Sequence, residues 1–286
     1  MLRVVNLPPP LDQLAAGPIF VVGVARSGTT WIYDILTEHP QAYGVLESML
    51  FSPGLGLRPL FSEDHWRSGR PPWGLRRIMT REQLIADVRE LTARWLGRGL
   101  MPEHRFFVEK TPAHTRQIQL IAEVFPEARF VHVLRDGRDV AVSVRAARGS
   151  WGSRAAWKPG RTHFQSARWW RQHVEAARRA GAALGADRFL EVRYEDVKAR
   201  PHESYRRLYA FCGMPYDDDL LERVFEATDF DRNFEGGESS FRRAGRVGDW
   251  RTSFGLRAAA SFAAGSGRAL LDAGYEQSRW WWLRPR

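Results

Sequence analysis

Short apolar runs and longer helix-period stretches alternate along this chain. Ile19-Phe20-Val21-Val22, Phe106-Phe107-Val108, Phe130-Val131-His132-Val133-Leu134 and Phe189-Leu190-Glu191-Val192 are rich in β-branched and aromatic residues. Runs of that length, bounded by turn residues, predict buried strands. Between them, Ile32-Tyr33-Asp34-Ile35-Leu36, the segment Arg81 to Leu96, Val140-Ala141-Val142-Ser143-Val144 and a long pattern through Ala180 carry the helical period. Strands alternating with helices predict an α/β fold with a mainly parallel central sheet flanked by helices. No repeat and no low-complexity linker divides the 286 residues, so a single domain over 1–286 is expected. Residues 1–17, with Pro8-Pro9-Pro10, predict an extended leader. The irregular stretches 52–74 and 148–161 predict surface excursions. Excursions at the carboxyl ends of parallel strands are where α/β proteins grip substrates, so both are candidate substrate-side loops.

Two of the strand-to-helix junctions carry chemistry. Gly23-Val24-Ala25-Arg26-Ser27-Gly28-Thr29-Thr30-Trp31 joins the first strand to the first helix through a small-residue turn. Such a turn gathers unpaired N–H groups and the positive helix end around one point, which suits an anion. Gly23 and Gly28 keep the spacing of the P-loop pattern G-x-x-x-x-G-K-[ST], but Thr29 stands where its Lys would be. This P-loop-like turn therefore fits a phosphate-type group held by Ser27, Thr29, Thr30 and Arg26. It fits a nucleotide kinase poorly. At the second junction the third run feeds Arg135-Asp136-Gly137-Arg138-Asp139, and Ser143 follows about two turns into the next helix. Two such sites imply a ligand with two separated anionic groups.

On these segments the chain resembles the sulfotransferases that use 3′-phosphoadenosine 5′-phosphosulfate (PAPS). The likeness lies with the G-x-x-R-S-G-T-T loop branch, which includes bacterial, tyrosyl-protein and carbohydrate sulfotransferases. The resemblance implies that Arg26, Ser27, Gly28, Thr29 and Thr30 cradle the 5′ side, with Trp31 near the adenine. It implies that Arg135 and Ser143 hold the 3′-phosphate. Arg242-Arg243-Ala244-Gly245-Arg246-Val247-Gly248-Asp249-Trp250 is similar to the family's R-K-G-x-x-G-D-W segment, with Arg243 and Gly245 on its Arg and Gly and Ala244 replacing its Lys. Arg193-Tyr194-Glu195-Asp196 resembles its Y-E-D segment, which places Tyr194 by the adenine, and Thr228-Asp229-Phe230 resembles T-S-F. The matches run in order from residue 19 to residue 250.

Sulfuryl transfer needs a base for the acceptor hydroxyl and a cation for the leaving side. The second apolar run delivers Glu109-Lys110-Thr111-Pro112, and the resemblance assigns Lys110 to the bridging or transferring oxygens, with Arg26 assisting. Pro112 occupies the place of the His base of the cytosolic branch. In the R-S-G-T-T branch a Glu follows an H-P pair, and here Glu47 follows His39-Pro40, so Glu47 is expected to be the base, with His114 as runner-up. The expected function is sulfuryl transfer from PAPS to a hydroxyl of a small metabolite or carbohydrate, without a metal. The alternatives are a nucleotide kinase and a non-catalytic nucleotide or polyanion binder.

Composition adjusts the picture only slightly. A net charge of +10 favours anionic ligands. The basic residues are spread along the chain rather than blocked, so nucleic acid is not the expected partner. Cys212 is the single cysteine, which excludes an internal disulfide and predicts a buried thiol. No run approaches the roughly eighteen apolar residues of a membrane span, and no basic-then-apolar leader is present, so a cytoplasmic protein without a membrane span is expected. High Arg and Ala content suggests a bacterial source. Trp169-Trp170 and Trp280-Trp281-Trp282 predict packing, and Asp136 and Asp139 predict carboxylates complementing a helix dipole.

Overall fold

In the computed structural model, residues 17–66, 74–148, 161–229 and 245–283 are described. Five strands form one parallel sheet: β1 (Ile19–Gly23), β2 (Ala42–Leu46), β3 (Phe106–Lys110), β4 (Arg129–Leu134) and β5 (Phe189–Arg193). Their order across the sheet is β2-β3-β1-β4-β5. Phe20 pairs with Glu109 on one side and Phe130 on the other, and Leu134 pairs with Arg193, so the strands end nearly level.

β1 lies at the centre and is covered on both faces, which is why its sequence is uninterrupted rather than alternating in polarity. Ile19 and Val21 pack with Val108, Val131 and Val133 against helix α1 (Thr29–Thr37) and against residues of two later helices such as Leu208 and Leu221. Phe20 and Val22 face the other way, onto Phe130, Ile121, Leu84, Val88 and Ala177. Phe130 belongs to β4, and the others come from α2 (Arg81–Leu96), α3 (Ile118–Val124) and a 22-residue helix introduced below. Val21 and Val22 are fully buried, each adding roughly 1.5–3 kcal/mol of apolar transfer to the fold.

The predicted helix over Arg81 to Leu96 forms with those bounds, closed at its start by a capping box between Thr80 and Gln83. Helix α4 (Gly137–Arg148) follows β4, and α5 (His163–Leu184) fulfils the long helical pattern. After β5 come α6 (Tyr194–Ala199), α7 (Pro201–Cys212) and α8 (Asp218–Thr228). The chain then returns through α9 (Trp250–Ser253), α10 (Leu256–Ser266) and α11 (Ala269–Asp272). These last helices join Val140, Val144 and Trp170 in a separate cluster that includes Trp250, Phe262, Leu270 and Trp281. Trp170 and Trp281 are thus packing residues, while Trp280 stays exposed.

The stretch 52–74 differs from a free surface excursion over its described part. It carries a 3-10 turn (Arg58–Phe61) and a single helical turn (Glu63–Trp66). Leu57, Leu60, Phe61 and Trp66 lean on the Phe20 and Val22 cluster, so apolar spacing overrides its Gly and Pro content. Residues 149–160, most of the second excursion, and 1–16 of the leader lie outside the described residues. Cys212 is buried, and burial pushes its thiol up to about 12. No described helix is long and apolar enough to cross a membrane.

Candidate active site

Because all five strands are parallel, their carboxyl ends share one edge of the sheet. Each delivers a candidate residue there: the loop after Gly23, Glu47 after β2, Lys110 ending β3, Arg135 after β4 and Tyr194 after β5. Backbone strain collects at the same edge. Among the described residues the non-glycine positions with left-handed backbone are Arg26 (φ 76°), Glu47 (φ 52°) and Met49 (φ 57°). Each costs on the order of 1–3 kcal/mol, and such outliers concentrate where function fixes the backbone.

The first loop has the geometry of an anion cradle. Gly28 caps α1 in the left-handed region (φ 93°, ψ 15°) and offers no side chain to the first-turn N–H groups. The Ser27 hydroxyl is buried and has no hydrogen-bond partner. Ser27 N–H closes the turn onto the Val24 carbonyl at 2.9 Å. The start of the loop is fixed by the buried Thr115 hydroxyl, which accepts the Gly23 N–H at 2.7 Å. A side chain at Gly28 would meet the Tyr194 ring at 2.5 Å, so the glycine is required by a close approach as well as by its φ.

The second junction folds against the first. Arg135 is 7% exposed, and its Nη1 donates to the Arg26 carbonyl (3.1 Å) and its Nη2 to the Arg246 carbonyl (2.9 Å). Its guanidinium lies 4.4 Å from the centre of the Tyr194 ring, and its Nε is buried without a partner. Arg26 Nε donates to the Ser143 hydroxyl at 3.1 Å, so the side chain of the first cradle reaches the second. Two further bonds hold the Arg135 turn: the Trp170 indole to the Arg135 carbonyl (3.0 Å) and the Asp136 N–H to Glu195 (2.9 Å).

The aromatic candidates stack behind the loop. Trp31 sits edge-on to Tyr194 at 5.5 Å, and its indole N–H donates to the Thr228 carbonyl at 2.8 Å. Tyr194 donates its hydroxyl proton to the Gly245 carbonyl at 2.8 Å. Trp31, Tyr194, Thr228 and Gly245, separated by up to 214 positions in the chain, are therefore one assembly. Arg243, Ala244 and Phe230 lie outside the described residues.

Lys110 and Glu47 form an ion pair at 2.8 Å. The lysine side chain is 2% exposed and the glutamate 40%, so the carboxylate faces outward from a buried cation. His114 is fully buried, with both ring nitrogens engaged: Nε2 accepts the Phe51 N–H at 3.1 Å and Nδ1 faces Glu109 at 3.1 Å. That burial separates it from any approaching hydroxyl, while Glu47 stays accessible.

Asp136 and Asp139 both lie at the start of α4 as expected, Asp136 accepting the Arg138 N–H at 2.9 Å and Asp139 sitting in the first turn, and each has further partners. Asp136 grips the Arg138 guanidinium at 2.7 Å, and that cation also lies in the corner formed by the nearly perpendicular rings of Trp250 (3.8 Å) and Trp281 (4.6 Å) and is bonded to Glu276. Asp139 accepts the Gly248 N–H (2.7 Å) and the Trp250 N–H (2.9 Å), tying the G-D-W segment to α4. Burial pushes the Asp139 carboxyl above the usual carboxylate range, against those two backbone bonds. The sequence pattern missed Glu109, Thr115 and Glu195. For Glu109 the available signal was a charged residue inside a buried strand, since a buried carboxylate has to be fully paired; Thr115 and Glu195, in a 3-10 turn and a helix, carried no such signal.

A protein-family model described as the Sulfotransferase family matches residues 18–218. The protein-tyrosine sulfotransferase of Drosophila melanogaster is 26% identical over 208 residues, covering 71% of this chain and 39% of the relative. Protein-tyrosine sulfotransferase 1 of Danio rerio is 27% identical over 204 residues, covering 71% of this chain and 55% of the relative. The chain thus spans between two fifths and just over half the length of these curated relatives. Among solved structures, the sulfotransferase domain of the Synechococcus olefin synthase has a TM-score of 0.55 at 20% identity, covering 92% of this chain and 96% of that one. A mouse sulfotransferase complexed with PAP has a TM-score of 0.51 at 18% identity, covering 90% and 82%. At those identities the likeness is one of fold.

Proposed function

The chain belongs to the sulfotransferase family, and from that premise we propose that it transfers a sulfuryl group from PAPS to a hydroxyl of a small metabolite or carbohydrate. The observation that carries this reading is the joining of two anion-binding turns by the Arg26 to Ser143 hydrogen bond. A nucleoside phosphorylated at both 3′ and 5′ positions needs two cradles at a fixed separation. Two buried polar atoms without partners, Ser27 Oγ and Arg135 Nε, fit that ligand, because leaving such atoms unpaired costs about 1–3 kcal/mol each. The mouse protein of similar fold is described with PAP, 3′-phosphoadenosine 5′-phosphate, the product such a transfer would leave.

In this assignment Ser27, Gly28, Thr29 and Thr30 take the 5′ group at the start of α1. Arg135, Ser143 and Arg243 take the 3′-phosphate, and the bond from Arg26 to Ser143 supports a share for Arg26 there as well as beside the transferred group. Tyr194 and Trp31, in contact with each other, lie beside the adenine, with Gly245 holding the Tyr194 hydroxyl. The donor supplies an activated sulfuryl group on a phosphate that leaves as PAP.

Glu47 takes the proton of the acceptor hydroxyl, and the acceptor oxygen forms the new bond to sulfur. The bond from sulfur to the 5′-phosphate oxygen breaks with its electron pair left on PAP, and Lys110 neutralises that charge. The Lys110 to Glu47 ion pair at 2.8 Å sets the proposed base and the proposed cation side by side at the strand end.

The test is transfer of labelled sulfuryl from PAPS, in the presence of a chelator, to a panel of sugars, phenols and a tyrosine peptide. A matched reaction supplies ATP with Mg²⁺. Transfer from PAPS that is abolished in Glu47→Ala supports the assignment. Phosphoryl transfer from ATP instead identifies a kinase, and tight binding without either transfer identifies a non-catalytic binder.

A further inference from the structure

We propose that Glu109 is a positioning residue for this reaction: with His114 it clamps the turn Glu47-Ser48-Met49 over the end of β3 and so fixes the Glu47 carboxylate against Lys110. The inference rests on the assignment of Glu47 as base.

Glu109 and Lys110 are neighbours on a strand, so their side chains leave on opposite faces of the sheet. The turn after β2 straddles that strand end. On the Lys110 side, Glu47 donates its N–H to the Lys110 carbonyl at 2.8 Å and its carboxylate meets Nζ at 2.8 Å. On the other side, Ser48 donates both its hydroxyl (2.7 Å) and its N–H (3.3 Å) to Glu109 Oε1. The Thr111 hydroxyl donates to the same oxygen. Oε2 faces His114 Nδ1, and the network assigns the ring proton there, because Nε2 already accepts the Phe51 N–H. The bonds of Glu47 to Lys110, Ser48 to Glu109 and Phe51 to His114 tie residues 47–51 to residues 109–114. The Thr111 and His114 bonds to Glu109 brace that side, and the two strained positions Glu47 and Met49 lie inside the clamp.

Glu109 is fully buried. Burial alone would raise its carboxyl, but the His114 ring and the hydrogen bonds from His114, Thr111 and Ser48 outweigh it and hold the group below the usual carboxylate range. A saturated buried anion is a poor device for stability compared with an apolar residue of similar volume, and a better one for fixing a single geometry. The geometry fixed here is that of a turn whose backbone L-residues avoid and whose side chain does the chemistry.

The test uses Glu109→Gln, which keeps shape and removes charge, and Ser48→Ala, which removes one donor at a half-buried position and leaves the core intact. Amide hydrogen exchange at Glu47, Ser48 and Phe51 reads the clamp without reference to activity. PAP release from PAPS with the best acceptor of the panel reads catalysis. The expected result for Glu109→Gln is faster exchange at those three amides, a fall in kcat of tenfold or more, and a KM for PAPS within twofold of the parent. Ser48→Ala gives the same pattern with a threefold or larger fall, and it carries the test if Glu109→Gln does not fold. In a Glu47→Gln background the second substitution adds no further loss in kcat, because there is no base left to position. Unchanged exchange, unchanged kcat in a released turn, or equal losses with and without Glu47 would each overturn the proposal. If Glu47→Gln itself keeps the parental rate, the assignment of the base fails, and the exchange measurement still decides whether Glu109 holds the turn.

Discussion

Gly28→Ala tests the contact on which the nucleotide cradle depends. At φ 93° the backbone of residue 28 lies where an L side chain is strained by about 1–2 kcal/mol. The new Cβ would also stand 2.5 Å and 2.8 Å from two Tyr194 ring carbons, against an ordinary contact of about 3.5–4.0 Å. The ring therefore has to retreat by roughly an ångström. Retreat weakens the Tyr194 hydroxyl bond to Gly245, worth about 0.5–1.5 kcal/mol, and the Arg135 stacking at 4.4 Å, worth about 0.5–2 kcal/mol. Together these give roughly 2–5 kcal/mol, or a fall in Tm on the order of 5–15 °C for a chain of this size. PAP affinity falls in parallel, because the displaced ring and Arg135 both belong to the proposed site. Thermal unfolding and calorimetric titration of PAP measure the two effects. A double-mutant cycle separates them: with Tyr194→Ala already present, Gly28→Ala is left with the backbone strain alone. A Tm within 2 °C of the parent and unchanged PAP binding would refute the contact, as would identical costs with and without the Tyr194 ring.

Three further outcomes follow from other parts of the structure. Asp139→Ala leaves the Gly248 and Trp250 N–H groups without acceptors and lowers stability by about 2–5 kcal/mol in denaturant titration, whereas Asp139→Asn recovers part of it. Lys110→Met lowers kcat by roughly 10²-fold while PAP affinity changes little, because its ammonium acts on charge that develops during transfer. Glu191, where burial is outweighed by hydrogen bonds from His132 and Arg178, is pushed down to about 2. A depressed carboxyl stabilises above its ordinary pKa and loses that contribution as pH falls, here between about 5 and 2 and by about 3 kcal/mol. Glu191→Gln is therefore destabilised at pH 7, and the gap from the parent closes toward pH 2. A gap independent of pH would contradict the pairing.

The central sheet was legible because β1, β3 and β4 are covered on both faces and so appear as uninterrupted apolar runs. The edge strand Ala42–Leu46 was not marked, since Ala42, Tyr43 and Gly44 carry no strong period. Likewise, the residues flanking the strand ends could be read as candidates, but their mutual geometry could not. That Arg26 reaches Ser143, 117 positions away, depends on β1 and β4 being neighbours in the sheet, which no local pattern encodes. Glu109 looked like a strand residue beside Lys110. The positioning role proposed for it rests on the folding of the 47–51 turn across the strand end, which no local pattern shows. Asp139 does lie in the first turn of α4, as its sequence position suggests, but its partners Gly248 and Trp250 come from more than a hundred residues later and could not be read locally.

The two-cradle site is tested most directly by calorimetric titration of PAP and of adenosine 5′-phosphate, without metal, into the parent and Arg135→Ala proteins. The charge-assisted bonds of Arg135 to a 3′-phosphate are worth about 1.5–3 kcal/mol, which is about 10- to 150-fold in affinity. The parent should bind PAP more tightly than adenosine 5′-phosphate by at least that factor, and Arg135→Ala should lose about that factor of the preference while binding adenosine 5′-phosphate nearly as the parent does. Equal binding of the two nucleotides by the parent would contradict a 3′-phosphate site at Arg135 and with it the assignment of PAPS as donor.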